Sequence, residues 1–352
     1  MTDTSEPASR PSNTRDDSAD ETDGLLPSGG VANRFPSTVV LRRVWTGRTR
    51  SVYVIYLIVA LFYVFGRFAN HAYGTGPFYV NVVTLGLFAL VASFGQTVAM
   101  LAGGFDLSIP GVISLAGILL MGFTGASGSG ASWAIPAVLA IGVLVGLGNG
   151  LGVVGLKISP IVITLAMNTI LGGVILVYTQ GTPIGSVPKA VKQLTQGTVA
   201  GVPNTVLLFV AVAVVGVIVL NFTTFGRRLY AVGSSPRAAM LAGISVPRVT
   251  IIAYMLSGLA AALAGVFLSG YASQAFLGMG DPYLMLSLAS AVVGGISVRG
   301  GRGYFAGTAG AALILMIVTG VLASTTLPEA VRDIVLGTIV IAVVVVARQE
   351  AG

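Results

Sequence analysis

Acidic side chains are rare in the apolar part of the chain, so each one is a candidate for chemistry. Between Ser51 and Ala347 the acids are Asp106, Asp281, Glu329 and Asp333. A carboxylate inside a bilayer is costly and is by default a functional candidate. Asp281 and Glu329 each adjoin a proline, which is typical of a helix start. Asp333 follows Arg332, so local charge compensation is the simpler interpretation.

Asp106 lies in GGFDLSIPG, Gly103 to Gly111, directly after an uncharged run long enough to cross a bilayer. One interpretation is a helix boundary, at which Asp106 or Ser108 caps the following helix and Pro110 occupies its first turn. The alternative is a break within the membrane, where unwound backbone offers polar groups to a solute. The short apolar run at residues 109–124 would suit such a partly re-entrant path.

Neutral polar residues inside the apolar runs are further candidates to line a path. They are Gln96, Asn149, Thr164, Asn168 and Thr169. A hydroxyl-bearing solute needs neutral hydrogen-bond partners of this kind, whereas the alternative role is hydrogen bonding between helices. The residues predicted to line a translocation path are Gln96, Asp106, Asn149 and Asn168.

Several kinds of active site are excluded or disfavoured by composition. The chain has no cysteine and one histidine, His71, so disulfides and thiolate sites are excluded and no metal site is expected. None of the lysines, Lys157, Lys189 and Lys192, lies in a phosphate-binding GxxxxGK[ST] loop. The chain is therefore not expected to hydrolyse ATP, to be an enzyme or to hold a cofactor of its own.

The overall composition is that of a membrane protein, with 55% hydrophobic residues, 9% charged residues and a mean hydropathy of +0.92. The polar residues 1–50 are predicted to be a disordered cytoplasmic tail that ends in a basic collar. Residues 51–348 are predicted to be an all-α transmembrane domain of about ten helices. Their approximate limits are 51–67, 78–101, 109–124, 132–155, 160–180, 204–222, 248–270, 282–297, 304–323 and 329–347.

The distribution of basic residues predicts the orientation of these spans. With both termini in the cytoplasm, most of the 19 lysines and arginines lie inside, as the positive-inside rule requires. The exceptions are Arg67, Lys189, Lys192 and Arg332. The net charge of +7 is explained by this sorting across a bilayer, so no nucleic-acid partner is expected.

Two long connections between spans are candidate partner surfaces. The outer segment Gly181 to Asn204 contains a possible amphipathic helix, KAVKQL, and could be a docking surface or only a lid. The inner segment Thr223 to Thr250 contains a helix-like PRAAMLAGI. A partner could bind this helix in a groove, although an ordinary juxtamembrane helix has the same pattern.

Three ordered blocks resemble the permease subunits of ATP-binding-cassette importers for simple sugars, the group that includes the ribose, xylose, arabinose and galactoside permeases. The first is GGFDLSIPGVISLAG, from Gly103, and the second is FGRRLYAVGSSPRAAMLAGISV, from Phe225. The third is LASAVVGGISVRGGRGYFAGTAGAALI, Leu288 to Ile314. The resemblance runs from the second span to Arg348.

The resemblance implies a type II ABC importer fold that carries a monosaccharide across a bacterial inner membrane. It implies a second permease copy, identical or closely related, a cytoplasmic ATPase that binds ATP and Mg²⁺, and an extracytoplasmic sugar-binding protein. Within the loop 223–248, the residues implied to couple to the ATPase are Arg237, Ala238, Ala239, Gly243 and Ile244. Relatives often carry Asn and Glu before the paired alanines, whereas this chain has Ser235, Pro236 and Arg237.

The functional prediction is thus a permease that moves its solute by alternating access, driven by a separate ATPase. The alternative is a secondary, ion-coupled transporter of a small polar solute, which would need no nucleotide-hydrolysing partner. Its usual mark, a relay of ionisable residues within the membrane, is weak because the four acids lie near span ends.

Overall fold

The computed structural model describes residues 56–57, 75–128, 130–183 and 185–323, and positions 328, 330, 331, 334, 337 and 338. The predicted tail and collar at residues 1–50 lie outside the described residues. So do His71, Glu329, Asp333 and most of the predicted spans 51–67 and 329–347. The described positions inside those two spans, such as 56–57 and 337–338, are helical.

The described residues form eleven α-helices and one short hairpin. Their bounds are α1 Gly76–Leu101, α2 Ile109–Thr124, α3 Ala131–Gly155, α4 Pro160–Thr179, α5 Lys189–Gln196, β1 Thr198–Val199, β2 Val202–Pro203, α6 Asn204–Phe222, α7 Thr224–Ser234, α8 Pro236–Leu241, α9 Val246–Ala272, α10 Pro282–Val293 and α11 Phe305–Ala323. The strands are antiparallel, with Val199 opposite Val202. A helix lies at every predicted span that the structure describes in full, and the short helices predicted near KAVKQL and PRAAML are confirmed as α5 and α8.

Six of the described helices are long and apolar enough to cross a bilayer, namely α1, α3, α4, α6, α9 and α11. The other two apolar helices are shorter, at 16 residues in α2 and 12 in α10, whereas a full crossing needs about 20 residues. The prediction of a span at 282–297 was too long. Gly294 and Gly295 follow Val293, and Gly295 has a φ of +86°, which ends α10.

Proline and glycine set the helix boundaries. Proline occupies one of the first two positions of α1, α2, α4, α8, α9 and α10, where its missing N–H is not needed. The end of α1 depends on Gly103, whose φ of +90° is disfavoured for other residues. The Gly103 amide then donates to the Met100 carbonyl at 2.9 Å, which turns the chain out of the helix.

The centre of the described bundle is formed by α1 and α9, which pack against each other and against most neighbouring helices. In the most apolar stretch of each, 61% of residues are buried, against 17% in α4. The close approach of α3 to α9 depends on small residues. A Cβ at Gly142, Gly146 or Gly150 would collide with the α9 backbone, so these glycines allow the two helices to touch.

The two candidate partner segments lie at opposite ends of α9. At its carboxyl end, Gln196 of α5 donates through Nε2 to the carbonyls of Gly270 and Tyr271, at 3.1 and 2.8 Å. At its amino end, α9 follows α8 after a short connection. The 27 residues of α9 span about 40 Å at 1.5 Å per residue. The predicted outer and inner segments are therefore a bilayer's thickness apart.

Candidate functional site

The break between α1 and α2, residues 102–108, is centred on Asp106. This side chain is fully buried. Its Oδ1 accepts from the Ser108 hydroxyl at 2.6 Å and from the Ser108 amide at 3.0 Å, and its Oδ2 accepts from the Ser257 hydroxyl of α9 at 2.6 Å. Three donors thus stabilise one buried carboxyl group and connect the start of α2 to the middle of the bundle.

The same network reaches α3. Asn149 is also fully buried, and its Nδ2 donates to the Ser108 hydroxyl oxygen at 2.8 Å. Ser108 therefore accepts from α3 while it donates to Asp106. The helix break is connected by side chains to both α3 and α9.

The backbone of the break is hydrogen-bonded by side chains of α4 and α9. The Leu107 amide donates to the Thr164 hydroxyl at 3.0 Å, and the Gly111 amide donates to Oδ1 of Asn168 at 2.9 Å. The Tyr254 hydroxyl donates to the Phe105 carbonyl at 3.2 Å. Irregular backbone is tolerated at membrane depth only when such partners satisfy it. Interhelical hydrogen bonding is therefore what the structure shows for Asn149, Thr164 and Asn168.

Of the two residues predicted to cap α2, Asp106 accepts from the Ser108 amide directly before the helix, whereas the Ser108 side chain makes no capping bond to the first turn. Asp281 lies directly before α10, as its proline neighbour indicated, but makes no side-chain capping bond. Side chains also cap two helices of the inner segment, Thr223 for α7 and Ser235 for α8.

Gln96 is the one predicted path residue that lies outside this network. It is fully buried in α1, and neither Nε2 nor Oε1 has a hydrogen-bond partner. On one side of it, Gly95 lies against Ser257 of α9, and on the other the Thr97 hydroxyl is 3.3 Å from the Thr308 hydroxyl of α11. Gln96 therefore lies on the face of α1 between these two contacts. A buried primary amide without a partner needs an explanation.

The predicted coupling residues lie on and after α8. Arg237, Ala238 and Gly243 are exposed, whereas Ala239 is buried and its carbonyl accepts from the Ile244 amide at 2.9 Å. Gly243 has a φ of +77°, which allows the chain to turn from α8 towards α9. Ala239 therefore anchors the helix while Arg237 and Ala238 face outwards.

Two further apolar side chains of α8 are displayed to the surroundings. Met240 is 56% exposed and Leu241 is 86% exposed. Neither residue was predicted from the sequence to contact a partner. Only Ala239 of this six-residue helix is buried against the bundle, so the side chains of Met240 and Leu241 remain exposed. They form with Ala238 an apolar surface that could contact a partner.

The three sequence blocks meet at one end of the bundle, where Gly300 of the third block lies so close to Gly103 of the first that a Cβ would collide with it. The Gly301 amide donates to the Leu101 carbonyl at the end of α1, at 3.1 Å. The Ser234 hydroxyl of α7 donates to the Gly301 carbonyl at 3.1 Å, and the Tyr230 hydroxyl donates to the Gly303 carbonyl at 2.8 Å. Gly233 lies so close to Leu101 and Gly301 that a Cβ would collide with their backbone. We call this contact of α1, α7 and the loop 294–304 the three-block junction.

The described residues provide no cluster of three or more His, Asp or Glu side chains that could hold a metal ion. The polar groups that the fold brings together are hydroxyls and amides around a single carboxyl group. Such groups can bind the backbone of a helix break or the hydroxyls of a neutral solute. The remaining question is which kind of membrane protein combines this network with an exposed inner helix.

Comparison with known proteins answers that question. Residues 78–344 match the family described as branched-chain amino acid transport system / permease component. The chain belongs to this permease family. The match begins in α1, includes the break, α8 and the three-block junction, and ends inside the predicted last span.

Individual relatives are similar over most of their length. The chain is 35% identical to the ribose import permease protein RbsC of Bacillus subtilis over 225 residues, which is 63% of this chain and 70% of the relative. It is 33% identical to the autoinducer 2 import system permease protein LsrC of Klebsiella pneumoniae over 298 residues, 85% of this chain and 86% of the relative. No solved structure matches the chain.

These findings confirm the resemblance drawn from the three sequence blocks. The chain is a multi-pass, all-α permease subunit of an ABC importer, a transport component and not an enzyme. Importers of this kind work in general with an ATPase and a solute-binding protein. The alternative of a secondary, ion-coupled transporter receives no support from the relatives.

Proposed function

We propose that this permease imports a monosaccharide or a similar neutral, hydroxyl-rich solute. Two relatives support the solute class by their names, since they are a ribose permease and an autoinducer 2 permease. The chemistry of the chain agrees, because Asp106 is already bonded inside the protein and Asp281 is the only other acid in the described part. A zwitterionic amino acid would require charged partners, whereas hydroxyls need amides and hydroxyls.

The loop 223–248 of the inner segment is proposed to receive the force of ATP hydrolysis. The observation that carries this proposal is the three-block junction, which joins α7 to the ends of α1 and of the loop 294–304. A push on α8 would be transmitted through Ser235 to α7 and from there to the central helix α1. ATP and Mg²⁺ would bind to the separate ATPase.

The assembly and its orientation follow from this proposal. Both termini and α8 would face the cytoplasm of a bacterium, and residues 1–50 would form a tail there. The segment Gly181 to Asn204, with α5 and the hairpin, would face the external sugar-binding protein. A second permease copy, identical or related, would complete the path across the inner membrane.

The translocation path is proposed to involve Gln96, Asp106, Asn149 and Asn168 in two different ways. The latter three residues brace the helix break through their bonds to the backbone and to Ser108. Gln96 has a free donor and a free acceptor, so it is suited to bind solute hydroxyls when the helices open. The two roles are distinguishable because only bracing contributes to the stability of the resting protein.

Gln96→Leu is the corresponding test. Since the Gln96 amide makes no protein hydrogen bond, the substitution should leave thermal stability unchanged or slightly higher, while losing a solute hydrogen bond. We expect uptake of labelled ribose by proteoliposomes with the complete importer to fall roughly tenfold, the effect of about 1.4 kcal/mol. Thr169→Val is the control, because Thr169 is exposed and bonds only to Leu165 of its own helix. A parallel loss of stability in Gln96→Leu would assign it a bracing role.

The coupling assignment is tested by Ala238→Trp, which places a bulky side chain on the exposed face of α8. Ala126→Trp is the matched control, because Ala126 is exposed near the external segment. We expect capture of the ATPase by the tagged permease to fall at least about tenfold for Ala238→Trp only, because a misfitting side chain disrupts a packed interface. Undiminished capture would refute the coupling role, and uptake of leucine without uptake of ribose would refute the sugar assignment.

A further inference from the structure

A cavity of about 340 Å³ lies beside the amino end of α9, between that helix and α7. Its lining includes Phe225 and Arg228 from α7, Ser245 from the connection after α8, and Arg248 and Ile252 from α9. Two cationic side chains from different helices thus meet at one cavity. The cavity is separate from the break around Asp106, and its lining also includes Gly243 and Ile244, two of the predicted coupling residues.

No acid among the described residues balances the positive charge of this cavity. Arg228 and Arg248 are exposed, and the acids in the described part of the chain are Asp106, which is buried in its own network, and Asp281, which lies at the start of α10. No carboxylate of the described residues therefore pairs with either guanidinium. Two unpaired arginines at a cavity favour an anionic ligand, and arginine is the residue best suited to a phosphate group.

The start of α9 adds to this preference. Ser245 precedes the helix, and its hydroxyl makes no capping bond to the first turn. The hydroxyl is therefore able to donate to a ligand in the cavity. The positive end of the helix dipole points to the same place and favours an anion there.

The other wall of the cavity is apolar, and this favours a lipid over a free anion as the ligand. Ile252 is one turn after Arg248 on the same face of α9 and is 43% exposed. Phe225 is half-buried beside Arg228. A free phosphate would gain nothing from these side chains, whereas an acyl chain attached to the phosphate would pack against them. Basic cavities next to membrane helices on the cytoplasmic side have this combination when they bind lipid headgroups.

We propose that this cavity binds the phosphate headgroup of an anionic phospholipid from the inner leaflet, with Arg228 and Arg248 on the phosphate and the lipid chain along Ile252. The proposal rests on the cytoplasmic orientation proposed above for α8. Because Ser245 and Arg248 lie within five residues after Gly243, a bound lipid would also restrict the motion of the connection between α8 and the central helix α9. Anionic lipid would therefore bind next to the coupling segment.

The test counts lipids bound to the full-length permease by native mass spectrometry. The wild type is purified in detergent with equal amounts of phosphatidylglycerol and phosphatidylcholine. The variant carries Arg228→Gln and Arg248→Gln, and the matched control carries Arg299→Gln and Arg302→Gln. The control removes the same charge from the loop 294–304, whose arginines are exposed and do not line the cavity.

We expect the wild type and the control to retain phosphatidylglycerol in preference to phosphatidylcholine. The Arg228→Gln and Arg248→Gln variant should bind it roughly 25-fold more weakly, at about fivefold for each basic residue near an anionic lipid surface. Equal retention by all three proteins would overturn the proposal. Displacement of the lipid by millimolar inorganic phosphate would overturn it too, because the cavity would then recognise only the anion.

An ATPase capture experiment with the same proteins separates this proposal from the proposed function. If the Arg228→Gln and Arg248→Gln variant keeps its lipid but loses the ATPase, the cavity is part of the ATPase interface and the lipid assignment is wrong. If lipid binding is lost while capture and ribose uptake persist, the lipid site stands by itself. Failure of ribose uptake in the wild type would refute the solute class and leave the lipid count unaffected.

Discussion

The break at residues 102–108 and the inner segment Thr223 to Thr250 both connect apolar helices, but they differ in how their side chains are bonded and exposed. Asp106 and Ser108 of the break are buried, and the polar groups of the break are bonded to side chains of α3, α4 and α9. The inner segment displays Met240 and Leu241 and leaves its arginines without carboxylate partners among the described residues. The bonded break is suited to brace the bundle, whereas the exposed inner segment is suited to bind a partner.

The difference shows that a polar residue in a membrane protein can be conspicuous for a structural reason. Asp106 is the most unusual residue of its apolar surroundings, but its oxygens are occupied by Ser108 and Ser257. The residues available for contact with another protein are ordinary side chains of a six-residue helix. The functional roles proposed for Gln96 and α8 therefore rest on residues that are unpaired or exposed, and the rare acid Asp106 is proposed to brace the fold.

Asp106→Ala should cause the largest loss of stability among the variants considered. A small loss would contradict the role of the break as a brace. The substitution leaves the buried hydroxyls of Ser108 and Ser257 without their acceptor, and each lost partner is worth about 1–3 kcal/mol. We expect thermal unfolding in detergent to shift markedly downwards and the yield of folded protein to fall. Asp281→Asn is the control, because that acid is exposed and makes no capping bond. Equal stability of the two variants would show that the break is not a brace.

Met240→Ser with Leu241→Ser should give an intermediate effect that is confined to binding. These side chains are exposed, so their loss should leave thermal unfolding within about 0.5 kcal/mol of the wild type. Removal of two apolar contacts from an interface should weaken ATPase capture about tenfold or more. Val177→Ser serves as the control, since Val177 is 79% exposed on α4. Full capture by the double variant would place the ATPase contact elsewhere.

Gly233→Ala should give the smallest effect on ATPase capture and the most specific functional defect. An added methyl group would press on Leu101 and Gly301, and overpacking of this kind costs about 1–3 kcal/mol. We expect the variant to bind the ATPase normally but to transport less ribose for each ATP hydrolysed. Gly155→Ala is the matched control because a Cβ at Gly155 meets no atom within 4 Å. An unchanged ratio of transport to hydrolysis would contradict transmission through the three-block junction.

Much of the fold could be predicted because helix boundaries depend on local chemistry. Apolar runs bounded by proline and glycine placed the eight apolar helices to within a few residues, whereas α7, Thr224–Ser234, was not predicted. The exception at α10 came from treating Gly294 and Gly295 as part of a span, although a glycine pair with one positive φ ends the helix. Gly142, Gly146 and Gly150 lie four apart in the sequence, which is the spacing that allows the close contact of α3 with α9.

The candidate site was less predictable because its partners are distant in sequence. Asp106 bonds to Ser257, 151 positions away, and nothing in the apolar α9 sequence distinguishes Ser257 from Ser269, the other serine of that helix. The bond from the Tyr254 hydroxyl to the Phe105 carbonyl could not be predicted for the same reason, because the two residues are distant in sequence. The exposure of Leu241 depends on how few α8 residues pack on the bundle, which periodicity cannot show in a helix of six residues. The resemblance to sugar permeases identified the segment, but the structure was needed to separate its buried face from its exposed face.

The most direct test of the account asks which side of the membrane α8 faces. The chain contains no cysteine, so a single Ala238→Cys or Thr198→Cys substitution introduces one reactive thiol on α8 or on the hairpin. A membrane-impermeant maleimide should label Ala238→Cys in inside-out vesicles and not in intact cells, and should label Thr198→Cys in the reverse pattern. Labelling of Ala238→Cys in intact cells would contradict the account, because no cytoplasmic ATPase could then act on α8.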